Sequence, residues 1–155
     1  MSKEYTFSEE FKQLCDDLAQ GIALLNDIPC ENAVSSLLAP FPVRRTVTLF
    51  FEDCASIFLA PTVVEGIERI VEEGICDDDS ARSFVALCEE ISHVLLYASR
   101  LDVGRTTSHG ELETQANIDV YFMLSSFLMQ QNNQDHKWNG LHEYVVGQVF
   151  RDQYV

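Results

Sequence analysis

Apolar residues recur at three- and four-residue spacing along most of the chain, the pattern of amphipathic α-helices. The first such stripe begins after Ser8, whose hydroxyl suits a helix start, and ends before Pro29. The pattern predicts about five or six helices in total. They run over 8–26, 31–38, 61–74, 80–101, 111–131 and 138–154.

One segment departs from this helical spacing. Arg44 to Phe51 is rich in β-branched and aromatic residues, Glu52–Cys54 suits a turn, and Ala55–Leu59 suits a returning strand. We therefore predict one β-hairpin around residues 44–59. Because an isolated hairpin is marginally stable, we expect it to pack against the helices or to find further strands. The predicted fold class is α+β, mainly helical, in a single domain over 1–155.

The helix predicted over 80–101 differs from the others in the distribution of its apolar side chains. At about 100° per residue they cover most of its circumference, so we expect it to be buried on several sides. An acidic run, Asp77-Asp78-Asp79-Ser80, precedes it. We interpret this run as a solvated helix cap that also favours the positive end of the helix dipole.

The net charge of the chain argues against some classes of binding partner. The chain has 25 acidic and 10 basic residues, a formal net charge of −15. Binding to nucleic acid requires a basic footprint, and an anionic membrane surface would repel the chain, so we expect neither. A protein partner with a basic surface, a cation, or simple solubility stay open as explanations of the charge.

The spacing of the cysteines and the length of the apolar runs indicate where in the cell we expect the protein. Five widely spaced cysteines form no Cys-x-x-Cys pair, and Cys15 and Cys88 occupy apolar helical positions typical of core thiols. The longest apolar runs are far shorter than the roughly 20 residues of a membrane span. We expect a soluble, cytoplasmic protein.

Unexpected polar residues concentrate on two neighbouring predicted helices. On the first, Glu89 and His93 are four residues apart and share a face, with Ser92 beside them. The second carries a polar stripe that steps four residues at a time. We expect the two sets to face each other as a ligand site or a buried polar network: Glu89, Ser92 and His93 against Glu111, Gln115 and Asp119.

The same residues suggest a metal site. One helical turn brings Glu89 and His93 to the same point, where they can act as metal ligands or form an ion pair. Together with one or more of Glu111, Glu113 and Asp119 they form a set suited to Zn²⁺, Mn²⁺ or Fe²⁺.

Two families resemble this region. Glu89-Glu90-Ile91-Ser92-His93 resembles the zincin motif His-Glu-x-x-His with Glu89 in place of the first His. Glu113-Thr-Gln-Ala-Asn117 resembles the Glu-x-x-Ala-Asn segment that supplies the third ligand in a small family of bacterial regulatory zincins. This likeness implies that His93 and Glu113 are metal ligands and that Glu90 is the general base.

A closer resemblance is to an uncharacterised family of short bacterial proteins. Members have a Glu-x-x-Ser-His helix followed by a Glu-Leu-Glu-x-Gln-Ala-x-x-Asp helix, with a strand pair ahead of both. It implies the fold and the site location rather than a reaction, and it assigns importance to Glu89 and not to Glu90. The matching residues are Glu89, Ser92, His93, Glu111, Leu112, Glu113, Gln115, Ala116 and Asp119.

These observations leave two hypotheses. The first is an accessory or interaction protein whose polar helix pair is structural or binds a ligand. It predicts tight packing around His93 and an exposed apolar patch on the hairpin or the last helix. The second is a metal-dependent hydrolase or metal-binding domain with a degenerate zincin-like site, which predicts an open cavity at Glu89 and His93.

Overall fold

The protein is described by a computed structural model covering residues 6–30, 32–40, 46–50, 55–131 and 140–150. Helices dominate, and a small sheet is added to them, so the mainly helical α+β prediction is confirmed. The helices are α1 (Glu9–Asn26), α2 (Pro61–Glu73), α3 (Asp78–Asp102), α4 (His109–Gln131) and α5 (Leu141–Val149). The strands are β1 (Leu38–Pro40), β2 (Val47–Phe50) and β3 (Ala55–Leu59), and a 3₁₀ helix spans Val34–Leu37.

The predicted hairpin forms from β2 and β3. The two strands are antiparallel, with Val47 opposite Phe58 and Phe50 opposite Ala55. The remaining predicted parts, Arg44, Arg45, Phe51 and the turn Glu52–Cys54, lie outside the described residues.

A third strand was not predicted. β1 pairs in parallel with β3, so the sheet order is β1-β3-β2. The helix predicted over 31–38 was wrong in extent, since only a 3₁₀ turn forms before the chain becomes extended. Pro40 contributes to this, because a proline disfavours helical backbone at the residue before it.

α3 is the central helix of the fold, as its circumferential apolar pattern predicted. It contacts α1, α2, α4, α5, β2 and β3. Its start is fixed by a capping box in which the Ser80 N–H donates to Asp77 at 2.8 Å and the Asp77 N–H donates to the Ser80 hydroxyl at 3.2 Å. The predicted acidic cap is confirmed. The bond from Ser80, together with the Arg69 guanidinium, lowers the pKa of Asp77 to about 2.

Close approach of α2 to α3 depends on Gly66. A Cβ atom at this position would lie 1.9 Å from the Ser83 hydroxyl oxygen and 2.5 Å from its Cβ. The turn that connects α2 to α3 is bonded to the end of α4. There the Gln131 side chain accepts from the Ile75 N–H and donates to the Ile75 carbonyl, both at 2.7 Å. These contacts fix the positions of α2 and α3 relative to each other and to the end of α4.

The core is one cluster of buried apolar side chains drawn from all five helices and β3. Cys15 and Cys88 belong to it, as predicted, and burial raises the pKa of the Cys15 thiol to about 12. The last helix is observed as Leu141–Val149; the flanking predicted residues 138–139 and 151–154 lie outside the described part. Among the described residues, no helix has the length and apolar content needed to cross a membrane.

Candidate metal site between the two central helices

Two polar contacts set the antiparallel register of α3 and α4. The Ser92 hydroxyl donates to Asp119 Oδ2 at 2.6 Å, and Arg100 Nη1 lies 2.8 Å from Glu111 Oε2. The contacts are eight residues apart on each helix, from 92 to 100 and from 111 to 119. Matched spacing of this kind defines which α3 residues stand opposite which α4 residues.

Asp119 is the centre of a buried network that joins three helices. Besides Ser92, its carboxylate accepts a bond from the Asn26 amide at 2.8 Å and one from the Gln115 amide at 3.0 Å. The side chain is almost fully buried, with 1% of its surface exposed. The predicted residues Ser92, Gln115 and Asp119 are therefore brought together, and their mutual hydrogen bonds give this half of the site a structural role.

Glu111 does not join that network, contrary to the prediction. Its carboxylate accepts from the Ser108 N–H at 2.9 Å and pairs with Arg100 at the exposed start of α4. Steps of four residues drift by about 40° each around a helix, so Glu111 and Asp119 point about 80° apart. A stripe of two such steps cannot keep its first and last member on one buried face.

A second polar cluster lies beside the first and has a different character. Glu89, His93 and Glu113 each offer one ligand atom, and these atoms all lie within 4.8 Å of one another. This is the trio that the zincin resemblance and the helix spacing suggested. Three ligands bound to one zinc ion at about 2.0–2.2 Å lie roughly 3.4 Å apart, so small side-chain movements would suffice to close the set.

The imidazole of His93 points one nitrogen at this cluster. Nε2 lies 3.4 Å from Glu113 Oε1, yet it is buried and has no hydrogen-bond partner. His93 is 8% exposed. A buried ring nitrogen without a hydrogen bond is costly unless something else satisfies it.

Glu90 holds the other side of the His93 ring, a role that the sequence did not reveal. Its carboxylate Oε2 lies 3.6 Å from His93 Nδ1 and accepts a hydrogen bond from the Thr48 hydroxyl on β2. Glu90 points about 100° away from Glu89 around the helix, so the sequence did not place it with the site. The i, i+3 spacing from Glu90 to His93 could have predicted their contact. Its second partner comes from the sheet and lies 42 residues away.

The cluster opens to solvent where α4 begins. The Glu113 side chain is 37% exposed, and His109 Nε2 lies 3.8 Å from its Oε1. A cavity of about 540 Å³ lies further along α3, beside the stacked rings of Phe50 and Tyr97. None of Glu89, His93 and Glu113 lines that cavity.

The pKa values of Glu89 and His93 are both raised, in a cluster that has several carboxylates around one imidazole. Burial raises the pKa of Glu89 to about 7, and the neighbouring Glu113 carboxylate adds to the shift. For His93 burial alone would lower the pKa, but the nearby Glu90 carboxylate and the charges of Glu113 and Glu89 outweigh it and raise the pKa above its usual value. The metal-free cluster therefore retains protons at pH values where isolated carboxylates have lost them.

Comparison with protein-family models, with curated proteins and with solved structures gave no match for this chain. The site is therefore interpreted from its own geometry.

The Asp119 network predicts a large difference between two acidic residues of α4. Asp119→Ala leaves the Ser92, Asn26 and Gln115 donors without their acceptor, and we expect it to lower the free energy of unfolding by about 3 kcal/mol. Glu111→Ala removes an exposed pair and should cost about 1 kcal/mol or less. Urea denaturation of both variants measures this, and equal losses would contradict the structural role of Asp119.

The raised pKa values predict how the stability of the metal-free protein changes with pH. The folded state holds the Glu89 proton up to about pH 7, whereas the unfolded chain releases it near 4.5, so stability falls as pH rises through this window. For His93 the stabilisation is present below about 6.5 and is lost as pH rises through its higher folded pKa, which acts in the same direction. Denaturation in a chelator at pH 5 and pH 8 measures the fall.

Glu89→Gln should reduce this pH dependence, because the amide has no proton to lose. The matched control is Glu143→Gln, which changes an exposed carboxylate on α5. A pH dependence that is the same in wild type and in Glu89→Gln would show that Glu89 is not the shifted group.

Proposed function

We propose that the protein is a divalent-metal-binding domain and that Glu89, His93 and Glu113 are its ligands. The observation that carries the proposal is the buried His93 Nε2, which has no hydrogen bond and lies with one oxygen of each of two carboxylates in a group whose atoms are all within 4.8 Å of one another. One imidazole and two carboxylates suit Zn²⁺ or a similar first-row ion.

The surroundings of His93 support this assignment. Histidines that bind metal through Nε2 usually direct Nδ1–H at a carboxylate, which fixes the ring orientation and raises its basicity. Glu90 occupies that position, and Thr48 in turn orients Glu90. Glu90, behind the ring, is thus a supporting group on the side away from the ligand cluster.

Charge balance points in the same direction. Glu89, Glu90 and Glu113 surround a single imidazole, and burial together with the repulsion among the carboxylates raises the pKa of Glu89. A bound dication would replace the protons that otherwise relieve this repulsion. Metal binding and protonation therefore compete at this cluster.

The alternative of a metal-dependent hydrolase is compatible with part of this geometry. Three protein ligands leave a position for a water molecule, whose pKa a metal lowers. A zincin-type reaction also needs a general base beside that water. Because Glu90 lies on the Nδ1 side of His93, the geometry favours metal binding without a zincin mechanism.

Metal content and thermal stability test the proposal directly. We expect about one equivalent of metal in protein purified without chelator, and a rise in Tm when Zn²⁺ is added to the metal-free protein at pH 7.5. Zn²⁺ at 100 times its Kd stabilises a one-site protein by about 2.7 kcal/mol. The rise should be smaller at pH 5, because protons then occupy the ligands.

Two variants separate the proposed site from adventitious binding. His93→Ala should abolish both the metal content and the Tm rise. His142→Ala removes a histidine that bonds Tyr121 at 2.8 Å on another face, and it should leave both unchanged. Absence of metal together with an unchanged Tm in the wild-type protein would refute the proposal.

A second candidate function is protein interaction, favoured by an apolar stripe on α4. Ile118, Phe122 and Met129 lie within about 40° of one another around the helix axis and are 47%, 49% and 63% exposed. Among the residues that the structure describes, this stripe lies on α4, whereas the sequence led us to expect a patch on the hairpin or the last helix. We propose a protein partner that combines an apolar contact with a basic surface, given the net charge of −15, and a cytoplasmic location, where thiols stay reduced.

Paired substitutions test this interaction. Ile118→Asp with Phe122→Asp should abolish recovery of a partner from cell extract, because charge at the centre of an apolar contact opposes its burial. Val103→Asp alters a more exposed apolar residue, 69% exposed, just after the end of α3 and should keep the partner. Recovery of the same partner by the double variant would contradict the assignment of the stripe.

A further inference from the structure

The first residue of α4, His109, lies at the edge of the proposed metal site. Its Nε2 atom is 3.8 Å from Glu113 Oε1. His93 Nε2 approaches that same oxygen at 3.4 Å. Two imidazole nitrogens from different helices therefore converge on one carboxylate oxygen.

The two helices contribute their residues in mirrored order. α3 carries Glu89 and then His93 one turn later, and α4 carries His109 and then Glu113 one turn later. Because the helices are antiparallel neighbours, each contributes one imidazole and one carboxylate on a facing side. Residues one turn apart on a helix project to the same point, which is the geometry a shared ion requires.

We infer that His109 is the fourth metal ligand and completes a site of two imidazoles and two carboxylates. This inference rests on the proposed metal-binding function. The His109 side chain is 86% exposed, so it can turn towards the ion without leaving a packed position. Tetrahedral zinc sites take four such ligands, and the other three are already grouped.

The two histidines then have different parts in binding. His93 is buried and held by Glu90, so it is preorganised for the metal. His109 is exposed at a helix start, and binding fixes its side chain only when the ion is present. Metal binding should therefore order the first turn of α4.

Ring-nitrogen NMR on ¹⁵N-histidine-labelled protein tests this without depending on activity. On adding one equivalent of Zn²⁺ to the full chain, the Nε2 signals of both His93 and His109 should move to metal-bound shifts. The His142 signal is the internal reference and should not move, since that ring bonds Tyr121. Assignments come from the single His→Ala variants.

Affinity gives the second readout. We expect His109→Ala to weaken Zn²⁺ binding, measured by calorimetry, by about tenfold to a hundredfold. Removal of a residue that only supports a metal ligand has an effect of this size. His142→Ala should bind like wild type. Circular dichroism checks that each variant is folded.

The outcomes distinguish this inference from the proposed function. If His93 shifts and His109→Ala binds Zn²⁺ as tightly as wild type, the three-ligand site stands and the role of His109 is refuted. If neither ring shifts and the wild-type protein binds no Zn²⁺, the proposed function fails and the inference fails with it.

Discussion

Three helices meet at the carboxylate of Asp119, and the placement of the remaining polar groups depends on that contact. Asn26 reaches it from the end of α1, Ser92 from the middle of α3 and Gln115 from the preceding turn of α4. A carboxylate this deeply buried is tolerated only because these donors satisfy it. Slippage of α4 by even one residue would break the bonds from Ser92 and Asn26, so the network holds α3 and α4 in one register.

That register is what places Glu113 against His93. Ser92 and His93 are neighbours on α3, so a helix pair aligned by Ser92 is aligned at His93 as well. The two polar clusters nevertheless differ in kind. Around Asp119 donors and acceptors match, whereas around His93 carboxylates exceed donors and one ring nitrogen has no hydrogen bond. The matched cluster explains stability, and the unmatched one is where we propose that a metal ion binds.

Much of this arrangement could be predicted from the sequence, and the exceptions share a cause. Helical spacing predicts α1 to α5, and the i, i+4 pair Glu89 and His93 predicts where the site lies. β1 was missed because a three-residue strand has no internal pattern and exists only through pairing with β3. Glu90 was undervalued because its partner Thr48 comes from the sheet, and no single-helix argument contains that contact.

The proposed ligand cluster also has a consequence for the order of folding. Glu89, His93, His109 and Glu113 all belong to one helical hairpin, α3 and α4, joined by a short loop. Contacts of such small sequence separation form quickly, before pairings between distant segments. The bond between Thr48 and Glu90 spans 42 residues and depends on the sheet. The hairpin can therefore bring these four side chains together early, and docking of β2 onto Glu90 then fixes the imidazole in its final orientation.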